Sequence, residues 1–272
     1  MFGSSKPLSI SKYLVGVAVI FLMVYLSYLV PLGFVTGYLV VYGVPLLVIS
    51  LIFGRTIFSR ATKNNKIALK LGLGLFSIMY LLGVFLSVIA LIIILQYNPS
   101  VLDLLQKPNP ALDVSPSVAW IMIAISMLVV GPVEEIFFRG FMFGGLLSVS
   151  KGRHWFPLAV VSALMFASVH IYYGITYGVA SSVYFIQLVT FGIALAVTYY
   201  WSGGNILVLA FMHGLNNAIG FLGVATTREI SLMAEGVFVG LGLVFAVLYL
   251  LKKVRINPAP SKNASNKTQI LQ

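Results

Sequence analysis

Two kinds of residue are scarce in this sequence: cysteine, which is absent, and charged residues, which make up 8% of the 272 positions. Without cysteine the chain has no disulfide framework, no thiolate nucleophile and no cysteine metal site. An ordinary soluble domain has roughly a quarter of its residues charged, and this chain has too few to cover such a surface. The scarcity therefore excludes a soluble globular protein and a disordered chain. It also excludes a nucleic-acid-binding module, although the net charge is +11.

Hydrophobic residues make up 60% of the chain and occur in long runs. A helix needs about 20 consecutive apolar residues to cross the hydrocarbon core of a bilayer. Eight segments approach or exceed this length, namely 13–31, 36–53, 71–95, 117–147, 157–173, 183–201, 205–224 and 234–251. We therefore predict an all-α fold, a polytopic helical bundle of about eight transmembrane helices, in a multi-pass protein of the cell membrane.

The basic residues are distributed unevenly between the two sides of this bundle. Eight spans place both termini on one side, and 14 of the 17 lysines and arginines fall in the N-terminus, the second and fourth loops and the C-terminal tail. The loops of the opposite side hold Lys107 and Arg228, and Arg139 lies inside a predicted helix. Because cytoplasmic loops are enriched in basic residues, we expect both termini to face the cytoplasm.

Glu134, Glu135 and Arg139 interrupt the apolar fourth segment. A charge in mid-membrane costs a few kcal/mol even on lenient insertion scales, so such residues usually mark function. Glu135 and Arg139 are four residues apart on one helix face, which allows an ion pair. Glu134 is turned by about 100° and stays free for chemistry. The alternative is a purely structural ion pair between helices, and the other four acidic residues are expected in or beside loops.

His170 and His213 fall inside the predicted fifth and seventh helices, and Asn217 follows one turn after His213. At ~1.5 Å per residue from the cytoplasmic ends, Glu134 and His170 lie ~21 and ~20 Å deep. Asn217 and His213 lie ~18 and ~12 Å deep on the same measure. A single histidine in such a helix is often no more than a hydrogen-bonded interhelix residue. Four polar residues on three helices at similar depth predict a shared site instead.

Other designs of intramembrane protease do not fit these residues. Both aspartates lie in a loop, and the three histidines do not form a His-Glu-x-x-His zinc motif. Ser126, Ser162 and Ser168 lie in apolar segments, but no nucleophile elbow surrounds them, and small hydroxyl residues are common at helix contacts. What remains is a carboxylate and a histidine that activate a water, with a second histidine and an amide that hold an oxyanion.

Three short motifs follow one another on the predicted core helices: Glu-Glu-x-x-x-Arg at 134–139, Phe-x-x-x-His at 166–170 and His-x-x-x-Asn at 213–217. In this the sequence resembles the type II CAAX prenyl endopeptidases and their bacteriocin-processing relatives, a family of intramembrane glutamate proteases. The resemblance covers roughly residues 117–224. It implies an endopeptidase that cuts near the C-terminus of a prenylated CAAX protein or in a related membrane-associated peptide.

The resemblance also implies a role for each of the motif residues in this sequence. Glu134 and His170 would activate water, and His213 and Asn217 would form the oxyanion hole. The supporting residues Glu135 and Arg139 would brace the site, while Asn216 matches no motif position. We expect no cofactor and no metal, although Glu134 and the two histidines could also serve as a zinc set. The expected partners are the membrane and a lipidated or membrane-associated substrate, and no nucleic acid.

The chain is expected to have three parts. Residues 1–116 would hold the first three transmembrane helices, 117–251 the catalytic core with its site on helices 4, 5 and 7, and 252–272 a disordered basic cytoplasmic tail. Two other functions stay open on the sequence. Buried carboxylates and histidines also form relays in proton-coupled transporters, although no paired halves with broken helices are evident. A catalytically silent membrane scaffold of the same fold would not need its motif residues.

Overall fold

The computed structural model of the chain describes residues 9–30, 34–53, 65–109 and 112–251. All regular elements in these residues are helical, which confirms the predicted all-α fold. Numbered along the chain they are α1 (Ile10–Leu29), α2 (Phe34–Tyr38, Leu39–Gly43 and Val44–Phe53 in direct succession), α3 (Asn65–Tyr97), α4 (Val101–Leu105), α5 (Pro116–Val149), α6 (Trp155–Ser168), α7 (Tyr172–Ser202), α8 (Leu207–Ala225) and α9 (Arg228–Leu251). The predicted tail at 252–272 lies outside the described residues.

Six of the described helices are long and apolar enough to cross a membrane: α1, α3, α5, α7, α8 and α9. The apolar part of α2 and the 14-residue α6 are shorter. Each of the eight predicted segments falls on one of these eight helices, so the polytopic membrane bundle is confirmed. The three-part division of the chain and the cytoplasmic position of both termini stay predictions.

Several helix ends follow from their local sequence. At the start of α5 the Ser115 side chain accepts a hydrogen bond from the Val118 amide, and Pro116 occupies the first turn, where its missing N–H costs nothing. Gly203 ends α7 in the left-handed conformation, at φ 78°, which suits a residue without Cβ. Asn205 lies just before α8 and accepts a hydrogen bond from the Val208 amide at 2.9 Å. Its side chain thus caps that helix.

The long helix α5 is not a regular α-helix. Two π-helical stretches, Ser126–Val130 and Ile136–Phe143, flank the short α-helical turn Gly131–Glu135. A π-helical turn accommodates an extra residue and so re-aims the side chains that follow it, and such turns are frequent at functional sites. The two glutamates of the first motif therefore lie on a regular turn between two widened ones.

α5 and α8 approach each other closely because glycine occupies both sides of their contact. A Cβ at Gly131 would lie 2.6 Å from the Ala210 carbonyl oxygen and 2.7 Å from the Gly214 nitrogen. A Cβ at Gly214 would lie 2.7 Å from the Ser126 carbonyl oxygen. Small residues allow membrane helices to bring their backbones together in this way. The contact lies one turn from Glu134 and Glu135 on α5 and beside His213 on α8.

α1, α2 and α6 pack around the middle of α5 and enclose its aromatic face. Phe137, Phe138 and Phe141 are buried there, and Tyr13 of α1 donates a hydrogen bond to the Met142 carbonyl at 3.3 Å. On the other side α7 packs along α3 and α6, α9 packs along α3, and α8 packs along α5. The first motif helix therefore lies at the centre of the bundle, with its polar residues directed into it.

We predict that Gly131→Ala destabilises the protein by about 1–3 kcal/mol, as overpacking of a tight contact does. The added Cβ meets backbone atoms of α8, which cannot rotate away as a side chain would. Thermal unfolding in detergent measures the loss. Gly240→Ala on α9 is the matched control, because its Cβ meets nothing within 4 Å and alanine favours the helix. Equal melting temperatures for the two variants would contradict this account of the α5–α8 contact.

Candidate active site

A cavity of about 450 Å³ lies between α1, α2, α3, α5, α6, α7 and α8. All four residues that the sequence predicted as catalytic line it: Glu134, His170, His213 and Asn217. Most of the remaining wall is aromatic or aliphatic. Glu135 and Arg139 are not part of the wall and are fully buried behind it. The three motifs, far apart in sequence, thus meet at one internal space.

Glu135 and Arg139 form the ion pair that their spacing predicted. Arg139 Nη1 lies 2.7 Å from Glu135 Oε1, and both side chains are 0% exposed. Arg139 Nη2 also donates to the Gly192 carbonyl of α7 at 3.3 Å, and the guanidinium lies 4.7 Å above the ring of Phe166 on α6. The pair therefore connects three helices, and its charge is compensated where water cannot reach it.

His213 reaches both glutamates from α8. Its Nδ1 lies 2.7 Å from Glu135 Oε1, and its Nε2 lies 3.5 Å from Glu134 Oε2. Both ring nitrogens thus face carboxylate oxygens, with Nδ1 within hydrogen-bond distance of Glu135 and Nε2 farther from Glu134. Sequence reasoning missed this contact because it compared spacings along single helices. The close approach at Gly131 and Gly214 brings the imidazole to the carboxylates across the helix interface.

The carboxylate of Glu134 is held at one oxygen. Tyr42 of α2 donates a hydrogen bond to Oε1 at 2.9 Å. The other oxygen, Oε2, is buried and makes no hydrogen bond within the residues that the structure describes. The side chain is 12% exposed and borders the cavity. Glu134 therefore differs from its neighbour Glu135: the carboxylate of Glu135 is locked in an ion pair away from the cavity, and the side chain of Glu134 borders the cavity.

His170 lies beyond the end of its helix, and the prediction of a helix over 157–173 is wrong at this point. α6 ends at Ser168, and His170 occupies the turn that follows. Its Nδ1 lies 2.9 Å from the Phe166 carbonyl, and its ring packs edge-on against the Phe166 ring at 4.8 Å. Hydropathy did not reveal the end of the helix, because the residues on either side of His170 are also apolar.

Two tyrosines of α1 explain why α6 can end inside the bundle. The Tyr25 hydroxyl donates to the Ser168 carbonyl and the Tyr28 hydroxyl donates to the Val169 carbonyl, each at 3.0 Å. The last carbonyls of a helix have no partner within it, and an unsatisfied carbonyl is costly in a membrane. These side-chain donors satisfy them, so the turn that carries His170 is stabilised by the first helix of the chain.

Asn217 follows His213 by one turn of α8 and borders the same cavity. Asn216, which matches no motif position, borders it as well. Tyr80 of α3 is a further polar lining residue, and its hydroxyl donates to Glu235 of α9. Glu235 lies within the helix and is half-buried rather than in a solvated loop, contrary to expectation. Sequence spacing carried no signal for the contact of Tyr80 with Glu235, since the two residues lie on different helices.

The proposed zinc set does not form a ligand group in this arrangement. Across the described ranges, no three His, Asp or Glu side chains are grouped as metal ligands. The Nδ1 of His213 is engaged by Glu135, and the Nδ1 of His170 faces a backbone carbonyl. Zinc-bound histidines make contacts of this same kind through the ring nitrogen that does not bind the metal, so these contacts do not decide the question, and the absence of a metal stays a prediction.

Residues 116–219 match the family model described as type II CAAX prenyl endopeptidase Rce1-like. The matched range contains all three motifs and runs from the start of α5 into α8. Comparison with curated proteins and with solved structures found no match.

We predict that Glu135→Gln destabilises the protein by about 3–5 kcal/mol, because it leaves the buried Arg139 charge without a counter-charge. Thermal unfolding in detergent measures this loss. Glu134→Gln is the matched comparison, since Glu134 makes no ion pair with the arginine, and we expect it to cost less. A Glu135→Gln variant as stable as the wild type would show that the pair does not hold the three helices together.

Proposed function

The chain contains an Rce1-like domain of the type II CAAX prenyl endopeptidases, a protease family, and from this premise we propose that it is an intramembrane endopeptidase in which Glu134 activates the attacking water. The observation that carries the proposal is the meeting of the three motifs at one cavity within the bundle. A carboxylate, two imidazoles and an amide border a space enclosed by apolar helices. This set can supply a general base and donors for an oxyanion.

Glu134 takes the role of general base. Its side chain borders the cavity and its Oε2 makes no hydrogen bond within the described residues, so a water bound at the carboxylate can give up a proton to it and attack the carbonyl carbon of the scissile peptide bond. His170 borders the same space and assists in orienting this water. When the tetrahedral intermediate collapses, the proton passes to the leaving amine. These reaction steps use side chains of the protein and one water, and we propose that they need no metal.

His213 and Asn217 stabilise the charge that develops on the carbonyl oxygen. Glu135 accepts a hydrogen bond from Nδ1 of His213, which fixes the orientation of a ring that borders the cavity beside Glu134. The amide of Asn217, one turn further along α8, supplies a second donor. Donors that are fixed before the reaction stabilise an oxyanion strongly in a site with little water.

The substrate is an apolar or lipidated segment that enters from the bilayer. We propose a peptide bond near the C-terminus of a prenylated CAAX protein, or in a related membrane-associated peptide, because the cavity wall is largely aromatic and aliphatic and suits an apolar group. Purified protein incubated with fluorescence-quenched farnesylated CAAX peptides and leader-type peptides tests this choice. Mass spectrometry of the products locates the cut.

We predict that Glu134→Gln abolishes peptide cleavage, because an amide cannot take a proton from water. The measurement is turnover of the cleaved peptide by a folded preparation, with and without a chelator. Glu229→Gln, an exposed carboxylate at the start of α9, is the control and should retain turnover. Normal turnover of Glu134→Gln would rule out this base, whereas no turnover by the folded wild type would favour a scaffold or transporter. Loss of wild-type activity with the chelator, restored by zinc, would instead support a metal mechanism.

We predict that Asn217→Ala lowers kcat by roughly 10²–10³-fold, or ~2.7–4 kcal/mol, while KM changes little. The lost amide donates to charge that exists only in the transition state. Asn217→Asp should be worse, because it sets a carboxylate against the oxyanion. Steady-state kinetics on the same peptide measures both. A large rise in KM with kcat intact would make Asn217 a ground-state substrate contact.

A further inference from the structure

Tyr42 is the residue outside the family-matched range that touches the proposed base directly. It lies on α2, within residues 34–53, whereas the matched range begins at residue 116. Its hydroxyl donates to Glu134 Oε1 at 2.9 Å. The N-terminal part of the chain therefore reaches the proposed base through this side chain.

The backbone around Tyr42 is built to aim this side chain. Tyr42 lies on the π-helical stretch Leu39–Gly43, and the first motif of α5 follows another such stretch. Widened turns of this kind often mark functional positions. The Tyr42 ring stacks on Phe137 at a centroid distance of 6.5 Å and packs against Tyr38 at 5.4 Å. Packing on both sides thus limits the rotamers from which the hydroxyl can donate.

Other titratable groups surround Glu134, but their polar atoms are engaged differently. Tyr28 donates to the Val169 carbonyl, and Tyr38 contacts the Met122 sulfur at 3.8 Å. The remaining neighbours are His170 and Tyr172 beside the cavity, His213 from α8, and Glu135 and Arg139 on the same helix. Among these, Tyr42 is the hydroxyl that bonds the carboxylate.

We propose that Tyr42 is a positioning residue for Glu134, so that α2 completes the active site. This inference rests on the proposed function, because it assigns a partner to the proposed base. By holding Oε1, the hydroxyl fixes the carboxylate with Oε2 towards the imidazole of His213. Without this donor the carboxylate can rotate and lose its alignment with the water. A hydrogen bond to a charged group is strong enough to hold the carboxylate in one orientation, and the rate of reaction depends on that orientation.

Kinetics of Tyr42→Phe test the role, with Tyr13→Phe as the matched control. Tyr13→Phe also removes one hydroxyl that hydrogen-bonds to α5. Tyr13 lies on the neighbouring helix α1 and outside the cavity. We expect Tyr42→Phe to lower kcat by about 10- to 100-fold, the equivalent of one charged hydrogen bond, with KM nearly unchanged. Tyr13→Phe should keep kcat near the wild-type value. Equal kcat for Tyr42→Phe and the wild type would overturn the role.

Infrared spectroscopy gives a readout that does not depend on activity. The chain has four glutamates, Glu134, Glu135, Glu229 and Glu235, so isotopically labelled glutamate yields few carboxyl bands. The band lost in Glu134→Gln is assigned to Glu134. We expect Tyr42→Phe to shift this band, because it removes a hydrogen-bond donor, and Tyr13→Phe to leave it in place. An unshifted band in Tyr42→Phe would overturn the proposed contact.

The two proposals can fail separately. In one outcome the wild type cleaves the peptides, Glu134→Gln does not, and Tyr42→Phe keeps both kcat and the band position. The positioning role is then wrong and the endopeptidase proposal is retained. If the wild type cleaves none of the peptides, the endopeptidase proposal is wrong, and the positioning role of Tyr42 in catalysis is wrong with it. The infrared shift then still reports whether the hydrogen bond exists.

Discussion

The backbone contact between α5 and α8 determines how the polar groups of these two helices meet in the site. Gly131 and Gly214 leave no room for a Cβ at this crossing, so the helices can approach until His213 bonds Glu135 and faces Glu134. A wider crossing would separate the imidazole from the carboxylates and leave His213 as a buried polar group without these partners. In a membrane such groups cost several kcal/mol. Close packing and chemistry therefore depend on the same two glycines.

Charge compensation then divides the two adjacent glutamates. Glu135 Oε1 meets both Arg139 and His213 at 2.7 Å, which places a carboxylate between two donors in a region that water does not reach. Such a buried cluster is strongly weakened by the loss of one member, so it acts as a rigid support rather than as a reactive group. Each glutamate has one oxygen, Oε2, without a hydrogen bond in the described residues, but the Glu134 side chain borders the cavity and Glu135 is fully buried behind it. Adjacent positions in sequence thus take different roles.

The first two helices contribute more to the site than their distance in sequence implies. Tyr25 and Tyr28 of α1 take up the carbonyls at the end of α6, and Tyr42 of α2 holds Glu134. Each uses a phenolic hydroxyl at the end of a long apolar side chain. Such a side chain packs against apolar groups along its length and donates one hydrogen bond at its far end. The family-matched range supplies the motif residues, and the N-terminal helices hold them.

The sequence alone determined the fold class, because apolar runs of bilayer length leave a chain little choice but membrane helices. It also determined that Glu135 pairs with Arg139, since spacing within one helix is a local property, and it indicated which polar residues share a site. Tertiary structure decided the rest: that α6 ends before His170, that His213 pairs with Glu135, that Glu235 bonds Tyr80, and that Tyr42 reaches Glu134. Each of these features depends on contacts between helices. Hydropathy indicates which residues are buried but not the direction or depth at which two helices cross. The tertiary structure decides these partners, because the glycines and π-helical turns set how closely the helices approach.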